Sequence, residues 1–418
     1  MNIDPLGPKS AAEAVGVVGL GYIGLPTATI LADHGVRTIG VDVNPSTVDA
    51  VNRGEVPFVE PGLREVLERA VASGALSAQL DMPRANAYIV AVPTPFTEAH
   101  AADLSYIEAA AKSIANVLTG GELIILESTS PPGATEYMRD VILRENSNLN
   151  ESDLLVAHCP ERVLPGKIMD EMITNDRIIG GITREAAEAA RDLYLSFCTG
   201  EMLLTDARTA EMAKLTENSF RDVNIAFANE LSIISDRLGI NVWELIELAN
   251  HHPRVNILQP GPGVGGHCIA VDPWFIVDAA PEQANLIRTA RQTNDAKPEW
   301  VLGRIEQALE AAGDSATVAL LGLAFKANID DLRESPALQI AQRLAERSSS
   351  AEILAVEPHV EELPASLQGL SNVTLTALDE ALERADVIVL LVDHDVFKAV
   401  PASQRSSATV IDTRGIWR

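Results

Sequence analysis

A four-residue apolar run, Val15–Val18, leads directly into Gly19-Leu-Gly21-Tyr-Ile-Gly24, and this junction restricts the chain more than any other stretch. Glycines at that spacing after a strand permit a tight turn, a close approach of backbone N–H groups to a pyrophosphate, and tight packing of the helix that follows. The N-terminus of that helix favours the phosphate charge. Asp42 closes the next apolar run, Thr38–Val41, 18 residues beyond Gly24. Its carboxylate can accept from a ribose 2′-OH and would repel a 2′-phosphate, so NAD is expected in preference to NADP. The bland alternative is a glycine-rich turn with no ligand; strand, helix and acidic residue standing in register weigh against it.

Further apolar runs at Tyr88–Val92 and Leu123–Leu126 alternate with amphipathic stretches, the pattern of a doubly wound α/β domain. The texture then changes. Arg208–Leu238 contains no Pro or Gly and spaces Met212, Leu215, Val223, Phe227, Leu231, Ile234 and Leu238 at helical intervals, which predicts one long helix. Gly239 suits its C-terminal stop, and Asn241 with Glu244 suits the capped start of another helix. From Thr317 strand signals resume at Thr317–Ala324, Ile353–Val356, Val387–Val392 and Thr409–Ile411, with a helical stretch at Pro336–Arg347. The expected fold is α/β: two Rossmann-like doubly wound parallel-sheet domains joined by a central helical domain. Their expected extents are residues 1–205, 206–303 and 304–418.

Charge narrows the partners. With 32 basic against 59 acidic residues the formal net charge is −27, which repels nucleic-acid phosphates and anionic membranes. Only 4% of residues are aromatic, leaving little surface for stacking bases. No nucleic acid and no membrane is expected as a partner, while a small anionic substrate requires cations gathered locally. The three cysteines, Cys159, Cys198 and Cys268, form no CxxC pair and suit a reducing, cytoplasmic compartment. The N-terminal stretch shows no apolar leader, and no apolar run is long enough to span a bilayer. The eight histidines show no metal-ligand spacing, so no metal is expected.

Three clusters can carry chemistry. Cys268 follows a run of glycines, Gly261-Pro-Gly-Val-Gly-Gly266, that would clear side chains from around its sulfur; Cys159 and Cys198 read as inert, buried thiols. Asp272, four residues on, is either a general base or water-orienting carboxylate, or a turn acceptor. On the long helix Lys214, Asn218 and Arg221 share one face, and lysine is scarce, 7 against 25 arginines. That face is either solvated or a set of donors for a sugar hydroxyl as charge develops on it. Glu161, in Pro160-Glu161-Arg162-Val163, can activate water or simply pair with Arg162 at the surface. The third cluster joins Lys326 and Arg333 to Ser335-Pro336, a helix start, and His252, Arg254 and Arg414 can add to the resulting anion pocket.

Eight segments in order, VVGLGYIGLP at 17–26, AVPTP at 91–95, ESTSPPG at 127–133, CPERVLPG at 159–166, KLTENSFRDVNIAFANE at 214–230, HPRVNILQPGPGVGGHCIAVDPW at 252–274, GLAFKANIDDLRESP at 322–336 and DTRG at 412–415, resemble the nucleotide-sugar 6-dehydrogenases of the UDP-glucose/GDP-mannose dehydrogenase family. The similarity covers nearly the whole chain, and the stretch before the cysteine and the Arg after Glu161 look like the N-acetylhexosamine branch. The resemblance implies an NAD-dependent four-electron oxidation of a sugar C6 alcohol to a carboxylate, with UDP-N-acetyl-D-mannosamine the expected substrate and polysaccharide biosynthesis the setting. It implies a covalent thiohemiacetal and thioester on Cys268, oxyanion stabilisation by Lys214 and Asn218, and water or proton handling by Asp272 and Glu161. It implies NAD contacts from Gly19, Gly21, Tyr22, Ile23, Gly24, Asp42, Thr94, Thr129 and Arg333. UDP-sugar contacts are implied for Arg162, Val163, Lys214, Asn218, Arg221, His252, Arg254, Gly265, Lys326 and Arg414. A homodimer built on the long helix is implied as well, with the Arg254 loop reaching the partner's site.

Three other readings stay open: a sibling acting on UDP-N-acetylglucosamine or UDP-glucose, a two-electron hydroxyacid-type dehydrogenase, and a catalytically silent NAD and nucleotide-sugar sensor. The second needs no thiol, and the third has no use for one beside a reacting carbon.

Overall fold

The computed structural model describes residues 14–58, 60–97, 101–164, 166–266, 268–313 and 315–417; the N-terminal stretch and the motif residues Pro165 and His267 lie outside them. The chain divides into two compact units, Met1–Thr216 and Glu217–Arg418.

The first unit is built on an eight-stranded sheet of β1 (Val15–Val18), β2 (Thr38–Val41), β3 (Leu76–Gln79), β4 (Ala87–Val90), β5 (Leu123–Leu126), β6 (Leu155–His158), β7 (Arg177–Gly181) and β8 (Met202–Asp206), in the order β3-β2-β1-β4-β5-β6-β7-β8. β1, β4 and β5 are buried at every residue, which is why they read as unbroken apolar runs rather than alternating ones. The order reverses between β1 and β4, placing a crevice at the carboxyl ends of those strands.

One pairing departs from the parallel expectation: β7 runs antiparallel to β6, while β7 and β8 are parallel. The chain leaves β6 at its carboxyl end and, instead of crossing the sheet as a parallel return requires, turns back through the short helix Ile168–Thr174. Arg177, the first residue of β7, thereby stands beside Glu161, which follows β6.

The second unit holds a five-stranded parallel sheet, β9 (Thr317–Leu321), β10 (Glu352–Val356), β11 (Val373–Leu375), β12 (Val387–Leu390) and β13 (Thr409–Asp412), ordered β11-β10-β9-β12-β13. That is the order of the first five strands repeated. The helix Pro336–Arg347 is capped by Ser335, whose hydroxyl accepts from the Leu338 N–H, with Pro at its first position as the sequence predicts.

The long helix spans Ala207–Leu238, and the next, Val242–Asn250, is capped by Asn241, which accepts from the N–H groups of Trp243 and Glu244. The periodicity marks the long helix but not the face it buries. Phe220, Phe227, Ile234 and Leu238 are exposed, whereas Asn218, Asp222, Asn229 and Ser235 are buried. A second long helix, Asn285–Ala312, runs on through Pro298 and Gly303. An interior proline costs about 3 kcal/mol, and burial of Val301, Leu302, Ile305 and Leu309 offsets it here.

The helix Asn285–Ala312 also carries Lys297, 2% exposed, whose ammonium donates to Ser232 Oγ at 2.5 Å and lies 3.8 Å from the Trp300 ring centre. Burial pushes this ammonium down to about 7 from its ordinary 10.5. Between those values the unfolded chain holds a proton that the native chain lacks, so stability rises with pH across that window. Lys297→Met is therefore expected to raise the urea midpoint at pH 7.5 by the equivalent of about 1 kcal/mol or more. The gap should narrow as pH approaches 10, which urea titrations at several pH values will read.

Candidate active site

Apart from Lys214 on the long helix, every candidate residue of the first unit lies in or near the loops that leave its strands at their carboxyl ends. Gly19 follows β1 with φ 91°, a conformation that favours glycine, and its N–H donates to Val41 O at 2.8 Å. A Cβ on Gly24 would stand 1.9 Å from Gly19 O, so only glycine lets the helix Gly24–Asp33 approach the turn. At Gly21 nothing lies within 4 Å of where a Cβ would be, which leaves bare backbone facing open space. Ile23 precedes the helix and packs against the apolar core.

Asp42 grips the turn. Its Oδ2 accepts from the Leu20 N–H at 2.8 Å and its Oδ1 from the Asn44 N–H at 2.9 Å. Ser128 Oγ donates to Val92 O at 2.6 Å, stitching the loop that carries Thr94 to the one that carries Thr129. Thr94 Oγ1 is buried with no hydrogen-bond partner among the described residues. A bare glycine turn, an acidic residue at the second strand and an orphaned hydroxyl fit a dinucleotide.

Two carboxylates that the sequence reading passed over hold these loops. Glu60 Oε2 accepts from the Tyr22 hydroxyl at 2.9 Å and from the Gly166 N–H at 3.0 Å, and Oε1 from the Ile168 N–H at 2.9 Å. It ties the glycine turn to the loop after Glu161. Glu211, in the long helix, accepts from the N–H of Gly133 at 2.6 Å and of Thr135 at 2.8 Å, capping the helix Ala134–Glu145 from outside. Nothing in the local pattern of either residue marks it.

Glu161 accepts from the backbone N–H of Arg162 at 2.7 Å and pairs with buried Arg177, 3.0 Å from Oε2. The Arg162 side chain donates to Asp176 O, and Val163 packs on the core. Cys159 and Cys198 are buried, and burial pushes the Cys159 thiol up to about 12.

In the second unit Cys268 is exposed and in no disulfide. Its carbonyl accepts from the N–H groups of Val271 at 3.1 Å and Asp272 at 2.9 Å, folding the chain into the helix Asp272–Ala279. Asp272 is 3% exposed, and its Oδ2 accepts from Asn218 Nδ2 at 2.5 Å. Two of the residues expected at one site therefore touch. Lys214, in the part of the long helix that belongs to the first unit, is half-buried, and Arg221 is exposed.

A buried polar network suspends the cysteine loop. Arg291, fully buried, donates to Asp222 Oδ1 and to Ile269 O at 3.3 Å, one residue beyond the thiol. Asn294 donates to Asp222 Oδ1 at 2.8 Å and accepts from Asn229 at 2.8 Å, while Asn229 accepts from the Gly261 N–H at 2.9 Å. Burial pushes the Asp222 carboxyl up to about 6, against the pull of Arg291. The spacing of Asp222 and Asn229, two turns apart on one helix face, is the signal that sequence reasoning missed.

The glycines before Cys268 do more than uncover it. A Cβ on Gly265 would stand 2.4 Å from Glu334 O and 2.7 Å from Pro336, and one on Gly261 would stand 2.7 Å from Arg414. The cysteine loop thus lies against the segment that carries Lys326 and Arg333 and against Arg414, bringing together two clusters that are far apart in sequence. Lys326 is exposed, Arg333 pairs with Asp331 at 2.6 Å, and Arg414 pairs with Asp393 at 2.8 Å. His252 and Arg254 are exposed beyond the helix Val242–Asn250, and no hydrogen bond or ion pair joins them to these loops among the described residues.

The Lys326 segment is braced from below. Glu357 Oε2 accepts from the N–H groups of Leu323 at 2.7 Å and Ala324 at 3.0 Å and lies 3.2 Å from His394 Nε2, while His394 Nδ1 accepts from the Asn328 N–H at 3.0 Å. Glu357, His359 and His394 each offer a donor atom within 4.8 Å of the others. The hydrogen bonds nevertheless fix the proton of His394 on Nε2, facing Glu357, so a metal there would require an imidazolate. The trio is a brace.

This geometry defines an α/β oxidoreductase with a dinucleotide turn and an exposed thiol on a suspended loop. Residues 13–198 match the NAD binding domain of the UDP-glucose/GDP-mannose dehydrogenase family, residues 208–296 its central domain and residues 319–418 its UDP binding domain. The chain is 57% identical to the NDP-N-acetyl-D-galactosaminuronic acid dehydrogenase of Ralstonia nicotianae, covering 97% of this chain and 96% of the relative. It is 56% identical to the UDP-N-acetyl-D-mannosamine dehydrogenase of Salmonella typhimurium, covering 97% and 99%. The solved structure of the UDP-D-ManNAc dehydrogenase of Pyrococcus horikoshii is 40% identical and superposes with a TM-score of 0.87, covering 97% and 96%. The chain belongs to the UDP-glucose/GDP-mannose dehydrogenase family. It is an NAD-dependent nucleotide-sugar dehydrogenase, and no helix among the described residues is long and apolar enough to cross a membrane.

Asp42→Ala removes a charged acceptor from two backbone N–H groups as well as the acceptor expected for the ribose. Hydrogen bonds to charged groups contribute about 1.5–3 kcal/mol, so a loss of roughly 10- to 100-fold in NAD affinity is expected, read by fluorescence titration.

Proposed function

We propose that this enzyme oxidises the C6 alcohol of UDP-N-acetyl-D-mannosamine to the carboxylate through covalent intermediates on Cys268. The observation that carries the proposal is the exposed thiol, held on a loop pinned on both sides, at Gly261 and at Ile269, and laid against the Lys326 segment. The Gly19–Gly24 turn with Tyr22, Asp42, Thr94 and Thr129, joined by Arg333 on the family resemblance, would hold NAD, which would supply the hydride acceptor for both oxidations.

The chain's own residues divide the remaining work. Lys214 and Asn218 donate to the sugar oxygen as negative charge develops on it, and Asp272, bonded to Asn218, takes or relays the proton. At the aldehyde level the Cys268 thiolate adds to C6, forming a C–S bond and an oxygen anion that takes a proton, which gives a thiohemiacetal whose carbon still bears one hydrogen. Its oxidation leaves a thioester. Glu161, paired with Arg177 at 3.0 Å, accepts a proton from water as the water adds to the thioester carbon, and the C–S bond breaks to return the thiolate. Arg162, Val163, Arg221, Gly265, Lys326 and Arg414 hold the UDP-sugar.

The near-equal identity to relatives named for mannosamine and for galactosaminuronic acid supports a second reading, in which the N-acetylgalactosamine nucleotide is the substrate. Initial rates with both sugars side by side decide between them: turnover of the galactosamine nucleotide alone overturns the substrate assignment. With the preferred sugar and excess NAD, two NADH per uronate are expected. Cys268→Ser should keep NAD affinity within about two-fold yet yield no uronate by product mass; undiminished uronate from that variant removes the covalent step.

The exposed stripe Phe220, Phe227 and Ile234, seven residues apart on the long helix, is assigned to a second copy of the chain, with His252 and Arg254 reaching the partner's sugar site. Phe220→Asp with Phe227→Asp should turn a dimer into a monomer in sedimentation analysis. The reaction belongs in the cytoplasm.

A further inference from the structure

Behind Glu161 the first unit seals a polar pocket with two carboxyls and one cation. Glu127, just past β5, is 1% exposed; Arg177 and Tyr194 are buried beside it. The guanidinium is committed elsewhere: it pairs with Glu161 Oε2 at 3.0 Å, donates to Met172 O at 3.1 Å, and lies 4.5 Å from the Tyr194 ring centre. Glu127 has no ion pair among the described residues. Its Oε1 accepts from the Tyr194 hydroxyl at 3.0 Å, and its Oε2 lies 2.9 Å from Thr27 Oγ1.

A buried ionised carboxylate with only hydroxyl partners is costly, and the pocket holds a second anion. The hydrogen bonds allow the alternative. Thr27 Oγ1 also lies 3.9 Å from Met172 Sδ, so it can turn its own proton to the sulfur and accept one from Glu127. A neutral Glu127 is then fully bonded, with one proton and one guanidinium balancing two carboxyls.

We infer that Glu127 is a buried protonated carboxyl that sets the base strength of Glu161, leaving the charge of Arg177 to Glu161 while it is neutral and strengthening Glu161 as a base once it ionises. It is a positioning residue acting through Arg177, and its effect on turnover rests on the reading of Glu161 as the water-activating base. Burial and the nearby Glu161 push the Glu127 carboxyl up to about 7 against the pull of Arg177. The other titratable groups near it stay fixed in the neutral range. The Tyr194 phenol is raised well above its usual value, and the Cys159 thiol is pushed up to about 12. His158, adjacent on β6, is pushed down to about 3 by burial and remains neutral.

Glu127→Gln copies the neutral acid, since its amide can donate to Thr27 and accept from Tyr194. A folded-state value above the unfolded one means that wild-type stability is full below about 4.5 and is lost as pH rises through about 7. The melting temperature of E127Q should therefore match wild type below about pH 5, exceed it by a gap that opens as pH rises to about 7, and hold that gap above it. The carbonyl stretch of a protonated buried carboxyl should be present in wild-type infrared spectra at pH 5, disappear through neutrality, and be absent from E127Q. The pH profile of uronate formation should show a neutral inflection in wild type that E127Q lacks. A destabilised E127Q, a wild-type spectrum without that band, or an unchanged pH profile overturns the inference. Glu161→Gln separates the two readings: full uronate output from that variant removes Glu161 as base, whereas the infrared band and the stability gap of E127Q report on Glu127 alone.

Discussion

The buried pair of Arg291 and Asp222 is the constraint on which the shape of the second unit's cysteine loop depends. Arg291 has no exposed surface, and besides Asp222 it reaches the carbonyl of Ile269, the residue after the thiol. Removing one partner of such a pair typically costs about 3–5 kcal/mol, because it strands a charge away from water. A glycine-rich loop has little rigidity of its own. Its shape is imposed by the helices behind it, through Arg291 on one side of Cys268 and Asn229 on the other.

The two sheets repeat one device. In each, a glycine with φ near 90° ends the first strand, Gly19 in one and Gly322 in the other. In each, an acidic residue after the second strand grips the N–H that follows the glycine: Asp42 holds Leu20, and Glu357 holds Leu323. The difference is one methylene and its consequences. The shorter Asp42 is only partly buried, which leaves one edge of its carboxylate uncovered. Glu357 is buried, holds a second N–H and leans on His394, so the same grip becomes a brace for the Lys326 segment.

Much of the frame is legible in the sequence because its signals are local. Val15–Val18, Thr38–Val41 and Leu123–Leu126 are strands over the residues their apolar runs mark, and Ser335-Pro336 starts a helix as its chemistry requires. What stays hidden is pairing. Periodicity finds the long helix but does not reveal its buried face, because Asp222 and Asn229 go inward only by virtue of Arg291 and Asn294, some 70 residues away. Glu161 is visible as a carboxylate, but its partner Arg177 is set by an antiparallel turn-back that no composition rule announces. Glu60 and Glu211 look like surface acids until the N–H groups they satisfy are seen.

Glu211 has a mechanical consequence. Its carboxylate fastens the first turns of the long helix to the start of the helix Ala134–Glu145, with Gly133 and Thr135 in its grasp and Thr129 only a few residues upstream. Lys214 follows one turn later on the same rod. The start of the helix Ala134–Glu145 and the stretch of rod that carries the lysine therefore share a single clamp.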